Sequence, residues 1–410
     1  MHAGADLLTA IGDVPNARQS ARPPAPVVGA ADDRMTELDS LRGLAAFVVL
    51  VGHLVAVYAL STNADRAVSD AGRAAVVVFF VLSGFVLSLP FHSGKRVGYG
   101  QFVIRRVFRI YPVYLASVFL ALALSALVDR RTSGLSPWFE KQWADAPSRS
   151  SLASHFSLIW SFPEHHDELN GPLWSLVYEM RVSLIFPFLM LLLVVLSTKQ
   201  VIILLPIVSL VGIYLGHESN QLTQNDWFGT VRVLPMFMIG ILLAGSIERI
   251  RTNYEHDSLH LLGILWLPLL AVAWSAPLIY SSHAGSVIRD WSDTVVAAML
   301  ITAIVASGRV RRLMRTRVLV WLGKISYSLY LFQLVVILAL VNLLHGHVPL
   351  PTILTLAAGL SILVAWIGYR IVELPSIAIG RHLSRRWRRD SVDAVEGARN
   401  SEPAVEIGQS

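Results

Sequence analysis

The sequence predicts an all-α integral membrane protein, a bundle of about ten transmembrane helices with both termini in the cytoplasm. Three observations carry this. Of 410 residues, 54% are hydrophobic and 15% charged, whereas soluble domains average about 25% charged. The charges are clumped, leaving apolar runs long enough to cross a hydrocarbon core of ~30 Å, which takes roughly 20 residues of helix. Basic residues also recur at every second connection between those runs, the pattern that orients helices in a membrane.

The apolar runs fall near residues 41–60, 74–91, 108–128, 173–196, 200–216, 229–247, 259–280, 293–308, 326–344 and 352–373. Arg22 and Arg34 precede the first run; Arg105, Arg106 and Arg109 follow the second, and Lys199 the fourth. Arg249 and Arg251 follow the sixth, Arg309 to Arg317 the eighth, and Arg381 to Arg389 the tenth, so those connections and both termini are expected in the cytoplasm. The longest outer loop, roughly 129–172, carries SPWFEKQWADAP and FPEHHDELNGP. The expected layout is a disordered cytoplasmic tail over 1–36, a ten-helix membrane domain over 37–376, and a basic, then disordered, cytoplasmic tail over 377–410. No cleavable leader is expected, because LLTAIG is short and has no basic residues before it. The net charge of +6 would suit nucleic acid, but the arginines stand at the ends of apolar runs, so no nucleic-acid partner is expected. The absence of cysteine excludes disulfides, a thiolate nucleophile and Cys-ligated zinc.

Within the first run, ELDSLRGLAAFVVLVGHL (37–54) holds two ionisable groups, Arg42 at its start and His53 deep inside. Eleven helical positions rise about 16 Å and turn about 1100°, three turns plus about 20°, so both side chains share one face. With the N-terminus inside, Arg42 lies at the cytoplasmic edge and His53 near the bilayer midplane. An ionisable group there is costly and by default marks function, and imidazole suits general-base work near neutral pH. If its helix enters at Pro172, Glu179 lies about 10 Å below the outer surface, within a turn of His53 at about 14 Å. A carboxylate at that depth would fix the imidazole tautomer and stabilise the imidazolium. Arg181, two residues from Glu179, points to the other side of the helix and is a poor partner for it. Arg106 and Arg109, three apart, share a face at the cytoplasmic start of the third helix. Like charges there repel unless an anion sits between them, and guanidinium forks bind phosphate bidentately.

These stretches resemble those of a known family, the acyltransferase type 3 membrane enzymes of bacteria. LDSLRGLAAFVVLVGHL is similar to the family's first helix, in which Arg or Lys is followed by ten residues and then His. FFVLSGFVLS (79–88) resembles the second helix, and RRVFRIYPVYL (105–115) the basic Arg-x-x-Arg segment. PLWSLVYE (172–179) resembles a Leu-Trp-Ser-Leu-x-x-Glu motif, and LGKISYSLYLFQ (322–333) and VELP (372–375) the ninth and tenth helices. The resemblance covers about residues 37 to 375. It implies a multi-pass enzyme of the bacterial cell (inner) membrane that moves an acyl group, expected to be acetyl, from cytoplasmic acyl-CoA to a hydroxyl of a surface polysaccharide, lipopolysaccharide or lipid-linked sugar. Acyl-CoA is then a co-substrate rather than a tightly bound cofactor, and the other partners are a carbohydrate or glycolipid acceptor and membrane lipids. On this resemblance His53 and Glu179 are the expected catalytic residues, His53 as base or transient acyl carrier, and Arg42, Arg106 and Arg109 are expected to bind acyl-CoA. The phosphates would rest at the arginine mouth while the thin arm carries the thioester towards His53. The chain departs from the family in two places. MRVSL follows Glu179 where another acid and aromatics are common, and Gln333 stands where many relatives carry His.

Other residues carry less. Ser83 is a weaker alternative as acyl carrier; Ser326, Tyr327 and Tyr330 are expected chiefly to pack, with hydrogen bonds inside the bundle as the other role, and Glu373 to pair with a cytoplasmic arginine. Glu164, His165, His166 and Asp167 are adjacent, a spacing unsuited to holding one ion, so no metal site is expected. Trp138, Phe139 and Trp143 suit stacking on sugar rings or anchoring at the membrane interface. A proton-coupled transporter or flippase would also use buried Arg, His and Glu, although no inverted repeat is evident. The same transfer chemistry acting on a small secondary metabolite is a third reading.

Overall fold

The computed structural model describes residues 35–58, 63–92, 98–128, 134–144, 146–159, 169–215, 227–254 and 283–400, and the regular structure among them is helical. Helix α1 (Thr36–Ala56) opens with Glu37 and Asp39 in its first turn, where carboxylates offset the positive end of the helix dipole. Glu37 is buried, and a buried carboxylate needs a partner. Arg315 supplies it with two guanidinium nitrogens at 3.1 and 3.3 Å, while Ser40 donates to the Met314 carbonyl at 2.6 Å.

Next come α2 (Asn63–His92), α3 (Tyr99–Leu127), the short α4 (Pro137–Lys141), α5 (Arg149–Ser157) and α6 (Trp174–Val195). They are followed by α7 (Thr198–Leu215), α8 (Trp227–Gly245), α9 (Ile247–Tyr254), α10 (His283–Ala306) and α11 (Gly308–Met314). The chain ends in α12 (Arg317–Leu344), α13 (Leu350–Gly368) and α14 (Leu374–Asn400). Among the described residues seven helices are long and apolar enough to cross a membrane, or eight if the pair Val287–Ala306 and Gly308–Met314, bent by 99°, is one span. The sequence suggested ten. The run at 200–216 forms the shorter apolar helix α7, and the run at 259–280 lies outside the described residues, as do the N-terminal segment 1–34 and the last ten residues. Phe119, Leu127, Val195, Ile203 and Leu363 are exposed on the outside of the bundle, an exterior suited to lipid rather than water.

α12 is the central post, buried along most of its length and packed on α1, α13 and α3. α2 packs mainly on α8 and α1, and α14 on α3. Glycine sets two of these separations. A Cβ at Gly43 would stand 2.6 Å from the Gly323 nitrogen, and one at Gly84 would stand 2.0 Å from the Phe237 carbonyl oxygen. The backbones therefore touch, as they do where membrane helices associate through dispersion rather than the hydrophobic effect.

Two polar features hold the bundle away from its cavity. Arg73 of α2 donates to Asp290 at 2.6 Å and to Asp293 at 2.7 Å, and Arg232 of α8 donates to Asp290 at 2.5 Å. Asp290, Asp293 and Arg232 are buried, so α2, α8 and α10 share one ionic cluster. The second feature is a five-residue π turn, Tyr369–Glu373, which joins α13 to α14 and leaves Glu373 fully buried. Beyond it the helix runs to Asn400, where the sequence led to the expectation of a disordered tail after Asp390. The part of this helix before Asp390 docks on α3: Gln101 donates to the Ser384 carbonyl at 3.1 Å and Arg105 to its hydroxyl at 2.9 Å.

Candidate active site

Helical phase brings Arg42, Arg106, Arg109 and Glu179 to one place, and leaves His53 outside it. Ser83 and Val86 of α2 follow Phe79 and Phe80 at one-turn spacing, and Arg106, Arg109 and Ile110 form a similar stripe on α3. With Arg42 of α1, Ser175, Leu176 and Glu179 of α6 and Ser326, Tyr327 and Tyr330 of α12, they line a cavity of about 160 Å³ inside the bundle.

The charges in its wall are matched. Glu179 accepts from Arg106 and, at 3.1 Å, from the Ser83 hydroxyl, while Arg106 also donates to Ser183 at 2.8 Å. Arg109 pairs with Glu373, which accepts from Ser328 at 2.7 Å, and the Arg109 guanidinium lies 5.4 Å from the centre of the Tyr327 ring. The anions that the Arg106–Arg109 pair demands are thus supplied by the protein's own carboxylates. Arg42 is held more loosely, 3.4 Å from Asp39 one turn back on its own helix. Arg181 stays clear of Glu179; it donates to the Ile159 carbonyl at 3.0 Å and to Thr230 at 3.1 Å and lies 4.1 Å over the Trp227 ring.

His53 stands beyond the Tyr330 end of the cavity, half-buried in the last turn of α1. Gln333, one turn on from Tyr330, sets its Nε2 2.7 Å from His53 Nδ1. Trp138 stacks on the other aspect of the ring, with centroids 5.6 Å apart and planes 6° from parallel. That contact is built locally. Ser136 caps α4 by accepting from the Phe139 N–H at 3.1 Å, and ties it to α1 by donating its own N–H to the Val57 carbonyl and its hydroxyl to the Ala56 carbonyl.

The expected contact between His53 and Glu179 is not formed, since each has the other partners just described. The frame of α1 is the reason. It spans Thr36–Ala56 rather than 41–60, which moves His53 from mid-span to the final turn, while Glu179 sits in the second turn of α6. The aromatic trio also divides. Phe139 and Trp143 are 1% exposed, Trp143 donating to the Leu169 carbonyl at 2.8 Å, so neither can face a sugar or a lipid headgroup; Trp138 covers the histidine instead. Tyr327 donates to the Ile110 carbonyl at 2.8 Å, and Tyr330 to the Pro172 carbonyl at 3.0 Å, with Ser175 2.8 Å away, so both tie helices together as well as pack. Sequence reasoning missed Ser183 and Ser328; the available signal for Ser183 was its position one turn after Glu179. Glu164, His165, His166 and Asp167 lie outside the described residues.

Comparison with known proteins places the chain among membrane acyltransferases by sequence. The chain is 28% identical over 334 residues to the acyltransferase MdmB of Streptomyces mycarofaciens, covering 74% of this chain and 80% of that one. It is 24% identical over 366 residues to the O-acetyltransferase OatA of Staphylococcus aureus, covering 82% and 56%. It is 26% identical over 397 residues to YrhL of Bacillus subtilis, provisionally named a peptidoglycan O-acetyltransferase, covering 87% and 58%. The chain thus spans a little over half the length of these two O-acetyltransferase relatives. No solved structure matches it. The family profile described as an acyltransferase domain matches residues 35–370, and this chain, whose apolar helices mark it as a multi-pass membrane protein, belongs to that acyltransferase type 3 family.

Proposed function

We propose that the enzyme takes an acetyl group from acetyl-CoA on the cytoplasmic side of the bacterial inner membrane and places it on a hydroxyl of a cell-envelope carbohydrate, such as peptidoglycan, a polysaccharide or a lipid-linked sugar. The observation that supports this most is the succession along one face of α1: Arg42, loosely held in the wall of an arginine-lined cavity, then His53 beyond its far end. The acceptor oxygen attacks the thioester carbonyl, its proton passes to His53, the carbon–sulfur bond breaks, and CoA leaves as the thiol on receiving that proton. Glu179 acts on this scheme through Arg106 and Ser83, which it holds at the donor end. Arg106 and Arg109 give the wall its donors, and Arg42, the most loosely held of the three, makes the first contact with the acyl-CoA phosphates or thioester.

Arg42→Gln should therefore raise the KM for acetyl-CoA by roughly ten- to hundredfold, since a hydrogen bond to a charged group is worth about 1.5–3 kcal/mol. Saturation curves on purified enzyme in nanodiscs measure this, and an unchanged KM would remove Arg42 from the donor site. The orientation is tested separately. Cysteine tags introduced beside Arg312 and at Asn400 should react with impermeant reagent only from the cytoplasmic side, and a tag beside Trp138 only from outside. The reverse pattern would overturn the cytoplasmic-donor scheme. For the acceptor, O-acetyl signals in the NMR spectra of envelope glycans should be lost in a strain lacking the gene; unchanged spectra would count against a carbohydrate.

A further inference from the structure

We infer that Gln333 decides which ring nitrogen of His53 carries the proton, and that a half-turn of its carboxamide converts His53 from a proton donor into a base. This rests on the reading of His53 as the general base. In the arrangement seen, the Gln333 amide N–H donates to Nδ1 at 2.7 Å, which leaves the proton of the neutral ring on Nε2. A ring in that tautomer can give a proton from Nε2 but cannot take one there. The other end of the amide is not anchored: Gln333 Oε1 is buried without a hydrogen-bond partner among the described residues. Turning the amide about its last torsion brings Oε1 to Nδ1. The half-buried ring then releases its Nε2 proton to water and takes one from water at Nδ1, so that Nδ1–H donates to the amide oxygen and the Nε2 lone pair is free for the acceptor hydroxyl.

The turned amide also serves the next step. When Nε2 takes the hydroxyl proton, the Nδ1–H of the imidazolium keeps its acceptor, and the same Nε2–H is later delivered to the departing thiolate. Trp138, stacked parallel to the ring, keeps Nδ1 aimed at the amide throughout. No ion pair to His53 is formed among the described residues, so no carboxylate there competes with Gln333 for Nδ1. Gln333 is a positioning residue on this account. Its side chain is fully buried, and it acts on the acceptor only through His53.

The test compares Gln333→Leu with Gln333→Glu in purified enzyme, with acetyl-CoA as donor. Gln333→Leu, matched in size but unable to accept from Nδ1–H, should lower kcat at least about tenfold, with the KM for acetyl-CoA within about twofold of wild type. Gln333→Glu keeps an acceptor at Nδ1 and should recover most of the lost kcat. A packing role predicts the opposite order, because leucine fits a buried apolar wall and an added carboxylate does not. Leucine equal to wild type with glutamate inactive would overturn the inference. Running His53→Gln beside them separates the two ideas. An active His53→Gln enzyme sinks the base reading itself; an inactive one together with a fully active Gln333→Leu enzyme sinks the role of Gln333 alone.

Discussion

His53→Gln should abolish nearly all acetyl transfer while leaving acetyl-CoA binding in place. A sugar hydroxyl is a weak nucleophile, so its proton must leave as the thioester carbonyl is attacked, and loss of a general base costs about 10²–10⁴ in rate. That range corresponds to about 3–5.5 kcal/mol of transition-state stabilisation. Glutamine retains polarity and most of the volume, can still meet Trp138 and Gln333, and cannot accept the proton at neutral pH. Because His53 lies beyond the Tyr330 end of the cavity and not among the residues that line it, the donor site should survive. Labelled acetyl transfer and acetyl-CoA binding, measured on the same purified protein, decide the matter. Turnover within a few-fold of wild type would make the histidine a structural residue.

The largest effect on stability is expected at Asp290. Its carboxylate, 2% exposed, faces both Arg73 and Arg232, and Arg232 has one terminal nitrogen buried without a partner even with the aspartate present. Removing one member of a buried ion pair costs about 3–5 kcal/mol, chiefly because the other charge is left uncompensated. Asp290→Ala leaves Arg232 in that position, while Arg73 keeps Asp293 at 2.7 Å. The single variant should lower the unfolding temperature in detergent by many degrees. The double variant Asp290→Ala/Arg232→Met should recover much of the loss, since apolar groups can replace a buried pair at little net cost. A single variant as stable as wild type would show that water reaches the cluster.

The sequence carried the membrane class, the helix-rich architecture and the residues that gather at the cavity, for a physical reason. Apolar run length, and basic residues at run ends, are local properties that each segment expresses alone. Arg42, Arg106, Arg109 and Glu179 were legible because an ionisable side chain in such a run needs an inward partner. What the sequence withheld was the pairing. Whether Glu179 meets His53 or Arg106 depends on where α1 begins, and a shift of about five residues in that frame displaces a side chain by more than a turn along the axis. The cover of His53 by Trp138 was equally hidden, since it depends on Ser136 bonding to a chain segment 80 residues away. The buried cluster at Asp290 was readable in principle, as two aspartates three apart at the head of an apolar run, yet nothing local names the arginines on α2 and α8 that answer them.

The π turn at Tyr369–Glu373 has a consequence for how this chain tolerates insertions and deletions. One residue more or fewer in a helix rotates everything downstream by about 100°. The π turn absorbs one such residue, and so sets the face that α14 shows to α3: Gly380 against Phe108 and Ser384 against Gln101 and Arg105. It also aims Glu373 at Arg109 and Ser328. In a loop a single-codon deletion only shortens a connection. Between Tyr369 and Glu373 it would re-index a 27-residue helix against its neighbour, turning a local edit into a change of docking at Gly380 and Ser384.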